Sequence, residues 1–189
     1  MDVVSAELGA KVTGHKSQGP DHNPFVIWIL GLVTCALLVG CSQSSSLLGN
    51  AHPSSQALAA AVLDAIARRD VTALRGLALN EQEFREHVWP ELPASRPERN
   101  LPFSYVWGDL HQKSELALAQ ILAKHGGRRY VLVSVRFAGD TSRYPSYTVY
   151  RETVLKVRDD AGTEADLRVL GSSLEKDDAW KVFSYVVDD

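Results

Sequence analysis

The sequence predicts an α+β domain in which N-terminal helices and one long helix pack on an antiparallel sheet of about four main strands. Three observations predict it. Apolar residues recur at helical spacing between Leu58 and Leu122, the pattern switches to strict alternation at Tyr130, and the later apolar runs are joined by turns short enough to demand antiparallel pairing.

Leu58, Val62 and Ile66 stand four apart, with Ser54 or Ser55 placed to cap, so residues 56–69 read as an amphipathic helix. Asp70 caps a short second helix through Leu77. Asn80 followed by Glu83 has the spacing of a capping box and starts a third helical piece, which Pro90 ends near Trp89. Pro93 and Pro97 then make the chain irregular up to Pro102, and Phe103 to Trp107 reads as a short strand. Asp109 caps the longest helix, whose stripe of Leu110, Ala117, Leu118, Ile121 and Leu122 runs to a left-handed stop at Gly126-Gly127.

Beyond that helix, Val131, Val133, Val135 and Phe137 alternate with Tyr130, Leu132, Ser134 and Arg136, as in a strand with one better-buried face. Tyr147 to Arg158, Glu164 to Leu174 and Trp180 to Val187 complete the sheet. Asp159-Asp160-Ala161-Gly162 and Lys176-Asp177-Asp178 are the turns between them.

Composition narrows the classes open to the protein. The 189 residues have ordinary apolar content and a formal net charge of −3, which excludes a disordered chain and a polybasic nucleic-acid binder. The two cysteines, Cys35 and Cys41, lie in or at the end of one apolar run, so the body after Ser42 has no disulfide and must be held by its core. Their spacing fits no zinc arrangement.

Phe25 to Gly40 carries no charge and gives way at once to Cys41 and a Ser-rich run. As a helix it would span roughly 24 Å, short of a bilayer core of ~30 Å but ordinary for the apolar part of an export signal. Leu38-Val39-Gly40-Cys41 resembles the bacterial lipobox, matching it at all four positions. The resemblance implies cleavage after Gly40 and lipidation, including palmitate, of Cys41. It implies residence on the exported side of the cell membrane, or of the outer membrane in view of Ser42. The expected organisation is a signal peptide over 1–40, the lipidated Cys41 and a flexible tether over 41–55, and one domain over 56–189.

The order of elements across 56–187, ending in a turn and Ala179-Trp180-Lys181-Val182, resembles the nuclear transport factor 2-like superfamily. That resemblance implies a curved, cone-forming sheet around an apolar pocket, which some members use for acid–base catalysis and others only for binding. Strand parity nominates two lining residues. Arg151 is the one charge sharing a face with Val149, Thr153, Leu155 and Val157, and Ser184 keeps the parity of Trp180, Val182 and Val186. Tyr105 and Trp107 are aromatic candidates for the same surface.

His87, His111 and His125 each stand alone, and no Gly-rich phosphate loop, nucleophile elbow or dinucleotide fingerprint is present. No catalytic residue, metal ligand or cofactor is therefore expected. The expected function is a membrane-anchored bacterial envelope lipoprotein whose domain binds a partner protein or a small apolar ligand without catalysis. The alternatives are a small isomerase, cyclase or hydrolase of the same fold, and a structural or assembly lipoprotein.

Overall fold

Each early helix begins where a side chain can take over an orphaned backbone N–H. In the computed structural model, which describes residues 48–187, Ser54 Oγ accepts the Ala57 N–H at 3.1 Å and opens α1, Ser55–Arg68. Asp70 Oδ1 accepts the Ala73 N–H at 2.9 Å and opens α2, Val71–Leu77. At α3, Glu81–Glu83, the capping box is complete: Asn80 Oδ1 accepts the Glu83 N–H and Glu83 Oε2 accepts the Asn80 N–H, both at 2.9 Å. The chain then widens into a π turn over Phe84–Val88 and tightens into a 3-10 turn over Trp89–Glu91, at the point where Pro90 has no N–H to continue a helix.

The longest helix starts earlier than its polar signals suggest. α4 spans Phe103–His125, so Phe103 to Trp107 is helix and not strand. Phe103, Val106, Trp107 and Leu110 fall at helical spacing and pack together on the core, and that burial outweighs the β preference of aromatic residues. Asp109 is consequently interior to the helix and pairs with Lys113 at 2.8 Å instead of capping. The stop lies at Gly127, where φ is +86° and the N–H donates to Ile66 O, tying the end of α4 to α1.

The strands are β1 Val131–Phe137, β2 Thr141–Arg143, β3 Thr148–Arg158, β4 Glu164–Lys176 and β5 Ala179–Tyr185. All pair antiparallel in the order β1-β3-β4-β5, with the short β2 beside β1 on the same edge of β3. The β4–β5 turn is two residues long, with Asp177 and Asp178 at φ 51° and 60°, a pair of positive values that suits the twist of a tight hairpin.

The curved cone is not what forms. The sheet is open: β1 and β5 stand at opposite ends of the strand order and do not pair, and what passes between them is a ring contact, Phe137 stacked on Trp180 at 6.0 Å. β5 instead takes two single bridges on its outer side, from His52 to Trp180 and from Ala78 to Val182. Closing a sheet requires its two end strands to pair, and here the free side of β5 is taken by His52 and Ala78 instead. What stands is an α+β fold of packed helices and an open antiparallel sheet.

Two apolar clusters hold the layers together. The larger joins Leu58, Val62 and Ile66 of α1, Leu74 of α2, Leu118 and Ile121 of α4, and Leu155, Leu170 and Val182 of the sheet. The smaller gathers Leu48, Leu79, Phe84, Val88, Tyr147, Val149 and Leu174, with Phe103 and Trp107 packed on it. Leu48 is only 1% exposed, so packing begins ahead of α1.

Candidate binding site

Between α4 and the sheet lies a cleft of about 650 Å³, within the ordinary range for small-molecule sites. Its helix wall includes Leu110, Ser114, Leu116, Ala117 and Gln120. Its sheet wall is built by register: Arg151 of β3 pairs with Ser172 of β4, which pairs with Ser184 of β5, and all three line the cleft. Adjacent members of such a row are about 4.8 Å apart along the hydrogen-bonding direction. The neighbouring row of Thr153, Leu170 and Tyr185 also lines the cleft and supplies apolar surface beside the polar one.

Irregularities in the strands create this row. Register slips between Ser172 and Ser173, which brings Ser184 opposite Ser172 while Val182 stays opposite Ser173. Strict alternation keeps Ser184 on the face of Val182, and the slip sets which residue of β4 stands opposite it. On β3 the alternation also fails: Arg151 and Glu152 are exposed, Thr153, Val154 and Leu155 are all buried, and Glu152 holds φ +51° within the strand. Gly171 marks the closest approach, since a Cβ there would stand 2.8 Å from Ser184 Oγ.

A second pocket of about 360 Å³ opens on the other flank of α4, where Trp107, His111 and Glu115 face Asn80, Phe183 and Tyr185. Its acid and its imidazole are committed elsewhere. Glu115 is bound by Arg75 at 2.6 Å, and this hydrogen bond holds its carboxyl below the usual range. His111 is exposed and stacked on Trp107 at 5.3 Å.

The most heavily buried ions are structural. Lys181 Nζ, whose residue is 2% exposed, donates to both oxygens of Glu83 at 2.9 and 2.8 Å, and Glu83 also accepts the Gly49 N–H at 2.7 Å and the Asn80 N–H. The carboxylate thus fastens β5, the start of α3 and the segment before α1 in one place. Sequence reading noticed Glu83 only as a capping residue and Lys181 only as part of the last strand. The missed signal is cross-strand register, in which Val149, Leu174 and Lys181 form one row facing the helices.

Of the remaining expected residues, Trp107 is half-buried and lines the second pocket, whereas Tyr105 is 66% exposed on α4 and joins neither site. Gly40 and Cys41 lie outside the described residues. At the end of α4, His125 Nδ1 lies 2.9 Å from Tyr130 Oη. No group of three or more His, Cys, Asp or Glu side chains among the described residues is placed to hold a metal ion.

Compared with known proteins, the chain matches no family model, no curated protein and no solved structure. The resemblances to the bacterial lipoproteins and to the nuclear transport factor 2-like superfamily are corrected accordingly: no comparison returns either family, and the open sheet removes the cone on which the second depended.

Proposed function

We propose that this chain is a lipid-anchored protein of the bacterial envelope whose domain binds a small apolar ligand and catalyses no reaction. The observation that carries the binding half is the cleft between α4 and the sheet. It is large, chiefly apolar, and among its described lining residues has no histidine and a single carboxylate, Glu152, exposed at the edge. Such a lining orients and retains a ligand but lacks an acid–base pair.

The anchoring half rests on chemistry written in the chain itself. An uncharged run from Phe25 ends at Gly40-Cys41, where a small residue precedes the one thiol left after cleavage. Acyl chains contribute about 0.8 kcal/mol per buried methylene, and two or more chains anchor a protein stably.

Two measurements test the proposal. Metabolic labelling with an alkynyl fatty acid is expected to mark the wild-type chain and not Cys41→Ala; equal label in both defeats the anchor. Ligand-observed NMR with octanamide is expected to show saturable binding that Gln120→Trp, a substitution on the exposed helix wall of the cleft, abolishes. Unchanged binding in that variant defeats the assignment of the cleft.

A further inference from the structure

The row Arg151-Ser172-Ser184 has a property that the apolar lining does not explain: its cation has no partner among the described residues. Each neighbouring charge is matched. Lys113 pairs with Asp109 at 2.8 Å, and Arg168 lies 3.9 Å from Glu152. The Arg151 side chain forms no ion pair or hydrogen bond among the described residues, although it borders a cleft whose helix wall mixes Leu110, Leu116 and Ala117 with Lys113, Ser114 and Gln120. Among the described residues Arg151 is thus the charge on this cleft without a partner, and it stands in line with two hydroxyls.

Building this row uses unfavourable backbone. Glu152 holds a left-handed conformation that is unfavourable for a non-glycine residue, and a Cβ at Gly171 would crowd the Ser184 hydroxyl. Apolar surface is exposed on the same cleft, at Leu116 (59%) and Val186 (38%). A guanidinium offers a planar fork of donors suited to an oxyanion, and serine hydroxyls beside it can donate to the same group.

We infer that the cleft takes an amphiphile with a single anionic head. Its oxyanion is held by Arg151 with Ser172 and Ser184, and its apolar chain lies along Leu170, Leu116 and Val186. This inference rests on the proposed binding function of the same cleft and specifies the class of ligand. Carboxylate and phosphate heads share the chemistry, and the experiment separates them.

The full chain, reconstituted in zwitterionic phospholipid nanodiscs with empty discs as the blank, is titrated with octanoate, octyl phosphate and octanamide. Octanoate or octyl phosphate is expected to bind more tightly than octanamide, and whichever is tighter identifies the head. Arg151→Met is expected to weaken the anionic probe about ten- to a hundredfold, the range for losing a hydrogen bond to a charged group, while leaving octanamide unchanged. Gln120→Trp is expected to remove all three. If octanamide binds as well as the anions, or Arg151→Met weakens the probes equally or not at all, the anionic-head inference is overturned while the binding function stands. If no probe binds, both fall.

Discussion

At the scale of single residues, the buried pair between Lys181 and Glu83 governs much of the local architecture, because it is out of reach of water and each remaining acceptor position on Glu83 is used by a backbone N–H. Such a pair is costly to assemble but far costlier to break from one side, since the surviving charge stays buried. Lys181→Met is expected to lose about 3–5 kcal/mol in urea unfolding, and Lys181→Met combined with Glu83→Gln to lose less than the single change. A loss below about 1 kcal/mol for Lys181→Met would place the pair in contact with solvent. Two histidines behave in the opposite sense to a paired ion. Burial lowers the pKa of both His52 and His125 from the ordinary 6.5, so the folded state favours their neutral forms. The unfolded chain then binds more protons as pH drops, and stability declines below pH 6.5 toward the folded values. Replacing both residues, as His52→Asn with His125→Gln, is expected to flatten that part of the profile, and an unaltered slope would assign the loss to other groups.

At the scale of elements, α4 is the sharpest case of packing overriding local signals. Its first turns contain aromatic residues, Gly108 and a plausible capping Asp109, all of which fit a strand followed by a turn. Gly108 nevertheless sits inside the helix, its φ is not positive, and a Cβ there would meet nothing within 4 Å. Gly108→Ala is therefore expected to raise stability by about 0.5–1 kcal/mol, by removing the entropic cost of glycine in a helix. A turn at that position would instead make the substitution destabilising, so the sign of the change in thermal unfolding decides between the two conformations. The sheet shows the complementary effect. Its strands are legible from alternation, but the slips at Ser172/Ser173 and the left-handed Glu152 are not, because either neighbour in a pair can absorb an extra residue and only the partner strand determines which one does.

At the scale of the whole molecule, the domain reaches back past its first helix. Leu48 is buried in the smaller cluster, Gly49 donates to Glu83, and His52 exchanges backbone hydrogen bonds with Trp180 at 2.9 and 2.7 Å. A sequence rich in Ser, Gly, Asn and Pro gave no hint of this, since a lone Leu in a polar stretch carries no periodicity. Leu48→Ala is expected to cost about 2–5 kcal/mol in chemical denaturation, as for other large-to-small core changes. A negligible cost would show that Leu48 belongs to the linker.

The sequence by itself determined helix starts at Ser54 or Ser55, at Asp70 and at Asn80, the four long strands of the second half with the turns on either side of β4, though not the short β2, and the absence of a disulfide in the body. Each is a local property: a cap three residues from the N–H it accepts, an alternation of period two, a count of thiols. Tertiary structure alone decided the open sheet, the early start of α4, the burial of Leu48 and Lys181, and the alignment of Arg151 with Ser172 and Ser184. Those features depend on which strand lies beside which and at what register, and a shift of one residue reverses the face on which every later side chain stands.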